Sequence, residues 1–122
     1  MEMRLELVPI PVSDVDRAKA FYVDMVGFEA EHDHQFSDQI RFVQLTPPGS
    51  ACSIVIGDGI TKAPPGSVEG MLLVVDEIDA VRDELAGRGV EISAVEEMDW
   101  GARHAFFADP DGNGWQLQAP VR

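Results

Sequence analysis

The first half of the chain, as far as Gly57, carries the hydrophobic pattern of one strand, one helix and three further strands. Residues 5–12 alternate apolar and polar positions, which predicts a strand. Pro9 and Pro11 lack backbone N–H groups, so this strand is expected at a sheet edge. Apolar residues then recur at spacings of three and four over 15–26, which predicts a helix that ends at Gly27. Strands are expected at 28–34, 39–45 and 51–56, separated by turn-forming residues.

A second copy of this pattern follows. Residues 12–16 recur as 75–79, and 46–49 recur as 109–112, both at a shift of 63. Residues 27–29 recur as 89–91 at a shift of 62, which a one-residue difference in helix or loop length explains. An internal repeat fixes the architecture, because each copy must form the same unit. The expected elements of the second half are strands at 71–75, 90–96, 104–108 and 114–118 and a helix at 78–88.

The repeat predicts an α+β fold of two tandem β-α-β-β-β modules. Module 1 covers about 4–57, a Gly- and Pro-rich linker covers 58–69, and module 2 covers about 70–120. Half-domains of about 60 residues are marginal alone, so the whole of 1–122 is expected to form one domain. The two modules are expected to form a curved mixed sheet around a shared cleft, where a ligand pocket follows naturally.

Composition narrows the function classes. Nine basic against 22 acidic residues give a net charge of −13, which argues against nucleic acid and anionic membrane as partners. No apolar run approaches the ~20 residues that span a bilayer, and the acidic, proline-containing start does not resemble a signal peptide. The one cysteine, Cys52, has no partner for an internal disulfide. A cytoplasmic protein is therefore expected.

Four motifs resemble the vicinal oxygen chelate superfamily, which includes glyoxalase I, extradiol dioxygenases and bleomycin-binding proteins. They are Pro11 to Asp14, Arg17 to Tyr22, Val26 to Phe28 and the closing run Phe107 to Leu117. The resemblance covers essentially the whole chain and implies the two-module fold. It also implies homodimers, in which the halves of two chains can combine to close the clefts. The sequence leaves open whether the halves pair within one chain or across two.

In enzymes of that superfamily, four symmetric cleft positions hold a divalent metal ion. The motifs place two of these positions at Leu7 and Gln116, and the shift of 63 adds Gly70 and Ser53. Leu7 and Gly70 have no ligand atom on their side chains, and a carboxamide alone does not anchor zinc, iron or manganese. No metal and no other cofactor is therefore expected.

One alternative reading of the strand register would still allow a metal site. Glu6 and Glu69 are also related by the shift of 63, and each precedes an expected ligand position, so a register error of one residue would bring both carboxylates toward the cleft. The alternation of residues 5–12 argues against this register, because Glu6 shares the face of Val8.

The predicted cleft is mostly apolar or neutral. Two polar side chains, Arg41 and His104, match at the shift of 63 on equivalent third strands, but the sequence does not decide which side they face. Trp100 precedes one of these strands and offers a stacking surface. The full predicted ligand-binding set is Leu7, Pro9, Arg41, Ser53, Val55, Gly70, Trp100, His104, Gln116 and Gln118.

These observations favour a metal-independent protein that binds a small organic molecule, aromatic or cationic, by sequestration as in bleomycin-binding proteins. No catalytic residue is assigned. The alternative is a glyoxalase- or dioxygenase-like lyase or isomerase with an atypical metal site, or with an acid/base pair formed by His104 and a carboxylate.

Overall fold

The computed structural model describes residues 1–120 as two modules of the same build. Module 1 contains β1 (Leu7–Pro9), α1 (Val15–Ala20), a π-helical segment (Phe21–Val26), β2 (Glu29–Gln35), β3 (Arg41–Thr46) and β4 (Ser53–Asp58). Module 2 contains β5 (Met71–Val74), α2 (Ile78–Gly87), β6 (Glu96–Glu97), β7 (Arg103–Ala108) and β8 (Gly114–Ala119). The α+β class and the tandem β-α-β-β-β order predicted from the sequence are confirmed.

The strands form two four-stranded mixed sheets. Their orders are β1-β4-β3-β2 and β5-β8-β7-β6, and in each sheet the first strand runs parallel to the last one of its module. The proline-containing β1 lies at an edge, as predicted, because its missing N–H groups cannot serve two neighbours. The same position in the second sheet belongs to β5.

The first helix begins as predicted and changes its winding halfway. The Asp14 side chain accepts a hydrogen bond from the Arg17 backbone N–H at 3.0 Å and caps α1. From Phe21 the helix winds as a π-helix, and the consecutive residues Phe21 and Tyr22 are both buried there. Gly27 ends it with a φ of +100°, a left-handed conformation that glycine adopts without steric cost.

The strand predicted at 90–96 is largely wrong. Ile92 forms an isolated bridge to Phe107, and β6 covers two residues only. Side chains take the backbone hydrogen bonds that a longer strand would need: Ser93 Oγ accepts from the Phe106 N–H, and the Arg82 guanidinium donates to the carbonyls of Ile92 and Ser93. Such side-chain partners compete with a regular ladder, which an apolar/polar pattern does not reveal.

One hydrophobic core runs through both modules. The rings of Phe21 and Phe107 lie 6.3 Å apart, and Tyr22 and Phe28 of module 1 both contact Trp115 of module 2. These contacts join the helix-bearing sides of the two modules. Because side chains alternate along a strand, each sheet also has an outer face, directed away from this core.

Hydrogen bonds between buried polar groups also link the two modules inside the core. The Tyr22 hydroxyl donates to Asp109 at 2.8 Å and accepts from Trp115 Nε1 at 2.9 Å. The Asn113 amide donates to the carbonyl of Pro11 at 2.7 Å and to Asp109 at 2.8 Å. Burial, followed by the Asp109 carboxylate, raises the pKa of Tyr22 far above its usual value, so the phenol stays protonated and remains a donor.

Candidate functional site

The two modules superimpose element by element, but with a shift that changes along the chain. The first helical residues, Val15 and Ile78, have numbers that differ by 63. The bounds of β3 and β7 differ by 62, and those of β4 and β8 by 61. The last change arises in the turns, because six residues join β3 to β4 whereas five join β7 to β8. A single shift of 63 therefore fails in the second part of each module.

The first correction concerns Arg41, whose counterpart is Arg103 and not His104. Arg41 binds Asp16 on α1 at 2.8 Å, and Arg103 binds Asp79 on α2 at 2.8 Å, which is the same ion pair in both modules. Arg41 therefore lies on the helix-bearing side and does not line the outer face. The sequence comparison was wrong by one residue, and one residue reverses the side of a strand.

Arg41 has a structural partner in addition to Asp16. Its guanidinium donates to Asp33 through Nε at 3.0 Å and through Nη2 at 2.9 Å, and Lys19 donates to the same carboxylate at 2.8 Å. Hydrogen bonds from Arg41 and then from Lys19 hold the pKa of Asp33 well below its usual range. This cluster joins α1 to the sheet and leaves the outer face untouched.

The second correction concerns Ser53, which the shift of 63 matched to Gln116. The strand bounds give Gly114 as the counterpart of Ser53 and Val55 as the counterpart of Gln116. The pairing agrees, because Val55 lies beside Pro9 and Gln116 lies beside Leu72. The error of two residues preserved the side of the strand, so Ser53 lies on the outer face as predicted but at a different level.

Module 1 has an outer face whose polar groups satisfy one another. Ser53 Oγ accepts from Gln44 Nε2 at 3.1 Å and lies 2.7 Å from Thr46 Oγ1. Ser53 is 4 % exposed, and the neighbouring Val55 is 2 % exposed. Leu7 and Pro9 on β1 lie beside them in register. This face offers a ligand few free hydrogen-bonding groups.

Module 2 has an outer face of different chemistry. Its central polar pair is His104 and Gln116, with the Gln116 amide nitrogen 3.0 Å from His104 Nδ1. An amide nitrogen only donates, so Nδ1 accepts and the neutral imidazole carries its proton on Nε2. Nε2 is buried and has no hydrogen-bond partner among residues 1–120. A buried unpaired donor costs about 1–3 kcal/mol, which is a reason to look for a ligand atom there.

Aromatic rings surround this imidazole. Trp100 lies edge-on to His104 with ring centroids 5.9 Å apart and an angle of 69°, and Phe106 does the same at 5.9 Å and 77°. Although His104 is only 7 % exposed, Trp100 is 59 % exposed and Phe106 is 49 % exposed. Large exposed rings beside a polar group are typical of binding surfaces.

The remaining predicted residues lie at the margins of this surface. Gln118 is paired with His104 across β7 and β8. Gly70 precedes β5 and lines a groove of about 260 Å³ together with Phe106 and Gln116. A smaller groove of about 110 Å³ brings Ser53 of module 1 close to Leu72 of module 2.

The sequence analysis missed several outer-face residues. Phe106 shares the face of His104 because the two are alternate residues of one strand, so the alternation already contained the signal. Leu72 and Val74, both exposed, were missed because the shift of 63 from Leu7 leads to Gly70, which stands before the strand. Gln44 and Thr46 were missed because the sequence does not decide which face of the strand predicted at 39–45 points toward the cleft.

The donor set does not fit the divalent metal of the superfamily's enzymes. At the level of Gln116 the outer faces present Pro9, Val55 and Leu72, none of which has a ligating side-chain atom. Gln116 itself offers only a carboxamide oxygen, which alone does not anchor zinc, iron or manganese. Among residues 1–120, no three His, Cys, Asp or Glu side chains are grouped closely enough to hold a metal ion. The alternative register for Glu6 is not adopted either, because Leu7 lies level with Ser53.

Comparison with known proteins establishes the family. Residues 4–117 match the Glyoxalase/Bleomycin resistance protein/Dioxygenase superfamily, and the chain belongs to it. TnmS3, described as an antibiotic binding protein from Streptomyces sp. CB03234, is 38 % identical, with 98 % of each chain covered and a TM-score of 0.88. A superfamily member from Sphaerobacter thermophilus DSM 20745 is 34 % identical, with 98 % of each chain covered and a TM-score of 0.86.

A relative known by sequence is more distant. The uncharacterized protein YetH of Bacillus subtilis (strain 168) is 25 % identical over 120 residues, which cover 97 % of this chain and 99 % of YetH. The superfamily resemblance inferred from the motifs is confirmed. Within residues 1–120, no helix has the length and apolar character needed to cross a membrane.

Proposed function

We propose that this protein binds a flat, small organic molecule without a metal ion, on the outer face of module 2, and acts by sequestration. The observation that carries the proposal is the His104–Gln116 pair, in which the Gln116 amide nitrogen lies 3.0 Å from Nδ1 and Nε2 is buried without a partner among the described residues. The exposed rings of Trp100 and Phe106 provide apolar walls beside that pair.

The similarity to TnmS3 supports this proposal. That protein is described as antibiotic binding, it covers nearly the whole chain, and its fold is closely similar. Fold similarity alone does not assign a function, so the chemistry of the outer face must support the binding as well. The exposed rings of Trp100 and Phe106 offer faces on which an aromatic ligand can stack.

The enzyme alternative receives less support. General acid/base catalysis by His104 would need a carboxylate to orient the imidazole, but Nδ1 bonds the Gln116 amide. Glu96 lies opposite His104 on β6, yet no hydrogen bond joins the two side chains. The homodimer and the cytoplasmic location remain predictions. Light scattering at several concentrations tests the homodimer.

Metal analysis and a thermal-shift screen test the proposed function together. Protein purified without chelator is expected to contain no stoichiometric zinc, iron, nickel or manganese. In a panel of planar aromatic compounds, at least one is expected to raise the Tm equally before and after dialysis against EDTA, because a ligand that binds the native state stabilises it. A stoichiometric metal, or ligand shifts that disappear with EDTA, would contradict the proposal.

A further inference from the structure

We propose that the Nε2–H group of His104 is the hydrogen-bond donor for the ligand, and that it selects an uncharged planar aromatic molecule with a carbonyl oxygen. This inference rests on the proposed function and specifies the ligand class. It follows from three features of the outer face of module 2: the fixed tautomer of His104, the two rings beside it, and the charge around it.

The tautomer fixes what the ligand must offer. Because the Gln116 amide nitrogen occupies Nδ1 at 3.0 Å, the proton of the neutral imidazole is on Nε2. Nε2 is buried without a partner among the described residues, so its N–H group can donate a hydrogen bond to an acceptor atom of a ligand. Gln116 thereby acts as a positioning residue, which sets the direction of the hydrogen bond that His104 can make.

The rings fix the shape of the ligand. Trp100 and Phe106 both stand nearly perpendicular to the imidazole, on a surface where each is about half exposed or more. Trp100 belongs to the short turn closed by the Gly101 N–H donating to the Met98 carbonyl. Because Nε2 is buried, a ligand reaches it only if a neighbouring side chain moves, and Trp100 is the more exposed of the two rings beside it. The same exposed indole offers a face on which a flat ligand can stack.

The surrounding charge decides the type of acceptor. Glu96 lies directly opposite His104 on β6, Glu97 follows it, and the chain carries a net charge of −13. A carboxylate or phosphate ligand would be repelled here. A carbonyl group is a neutral acceptor whose oxygen lies in the plane of an attached aromatic ring, so stacking and hydrogen bonding are satisfied together.

A matched pair of probes tests the inference. The probes 9-fluorenone and fluorene share one planar skeleton, and only fluorenone carries the carbonyl. Binding to the full-length protein is measured by quenching of tryptophan fluorescence. We expect fluorenone to bind about tenfold more tightly than fluorene, from the value of one hydrogen bond to an otherwise unpaired donor. His104→Phe keeps a ring of similar size and is expected to abolish the preference, whereas the control His34→Phe, in the exposed strand β2, is expected to retain it.

Two measurements on the unsubstituted protein keep the inference testable if His104→Phe does not fold. The carbonyl stretch of bound fluorenone, measured by infrared spectroscopy, is expected at lower wavenumber than in a hydrocarbon solvent. The ¹⁵N chemical shifts of the His104 ring are expected to report a proton on Nε2 before the probe is added. An Nδ1–H tautomer would overturn the inference.

The possible outcomes distinguish a failure of the role assigned to His104 from a failure of the proposed binding of flat aromatic molecules. Saturable binding of both probes with equal affinity, together with an unshifted carbonyl stretch, would overturn the role of His104 while the binding of flat aromatics stands. Absence of saturable binding by either probe to the folded protein would contradict the aromatic ligand class, and the inference would fall with it.

Discussion

The outer faces of the two modules differ although their backbones repeat. On module 1, Ser53, Gln44 and Thr46 bond one another and are buried. On module 2, His104 has a donor that is unpaired among the described residues, and Trp100 and Phe106 remain exposed. Polar groups that satisfy one another stabilise a fold, whereas unpaired groups and exposed rings cost stability and are retained where they bind something. The outer face of module 1 therefore contributes to the stability of the fold, and the outer face of module 2 carries the proposed binding site.

The turn between β3 and β4 in module 1 also differs from the turn between β7 and β8 in module 2. In module 2, Asn113 is fully buried and bonds Pro11, Val68 and Asp109. In module 1, the corresponding turn is largely exposed, and the Ser50 side chain bonds its near neighbour Cys52. Module 2 therefore supplies both the proposed binding surface and a buried turn whose hydrogen bonds link the two modules.

The largest expected effect on stability comes from removing the hydrogen bonds that Asn113 makes between the two modules. Asn113→Ala leaves several buried partners unpaired and is expected to lower the free energy of unfolding by about 3 kcal/mol. Ser50→Ala in the matching turn is expected to change it by less than about 0.5 kcal/mol. Urea unfolding of both variants measures the difference, and equal losses would show that the turns are equivalent.

The next effect distinguishes the polar groups of the two faces. Ser53→Ala leaves Gln44 and Thr46 without their shared partner in a buried position, and a loss of about 2 kcal/mol of stability is expected. Gln116→Ala removes a single bond from a half-buried side chain and is expected to cost about 1 kcal/mol or less. Denaturant titrations measure both losses. A larger loss for Gln116→Ala would reverse the roles given to the faces.

A smaller effect concerns ligand affinity. Trp100→Ala is expected to weaken fluorenone binding about tenfold, because stacking on an exposed indole contributes about 0.5–1.5 kcal/mol beyond its buried area. Phe36→Ala removes an exposed ring beside the module 1 sheet and is expected to leave the affinity unchanged. Isothermal titration calorimetry compares the two variants. An equal loss in both would indicate non-specific adsorption to exposed rings.

The smallest expected effect compares the helix-bearing sides and depends on pH. The pKa of Asp33 is lowered by Arg41 and Lys19, so its contribution to stability is complete above the unfolded carboxyl pKa of about 4 and is lost as the pH falls below it. Asp33→Asn is expected to cost about 1 kcal/mol at pH 7, since the pair is partly exposed.

The penalty of Asp33→Asn is expected to shrink as the pH is lowered from 4 to 2. Asp79 bonds Arg103 in the same place on module 2, but it has no second cation among residues 1–120 and is more exposed, so Asp79→Asn serves as the matched control with a smaller effect. Thermal unfolding across this pH range measures both. A penalty for Asp33→Asn that grows toward pH 2 would contradict the assigned direction of the pKa shift.

Much of the fold followed from the sequence because strands and helices leave periodic patterns. The alternation of β1, the start of the helix at 15 and its stop at Gly27 are local signals, and the structure has all three. The strand expected at 90–96 failed because Arg82 and Ser93 take backbone hydrogen bonds there. Those partners lie far apart in sequence, so no local pattern announces them.

The candidate site was recovered in part for a related reason. The motifs identified Gln116 and the alternation identified the faces of β1 and β4, which do not depend on distant residues. Arg41 was misplaced because a shift that is correct at the helices differs by one residue at β3. Because side chains alternate along a strand, an error of two residues leaves the predicted face unchanged, as for Ser53. An error of one residue assigns the side chain to the opposite face.

The sequence by itself determined the duplicated module, the family and the absence of a side-chain ligand at two of the four expected metal positions, Leu7 and Gly70, because these are properties of residue type and spacing. Only the tertiary structure decided which outer face has the features on which the proposed binding site rests. That decision depends on how Gln116 meets His104, how Trp100 and Phe106 stand beside it, and how Ser53 is closed off by Gln44 and Thr46. Hydrogen bonds between strands are set by register and packing, and register is a property of the folded sheet.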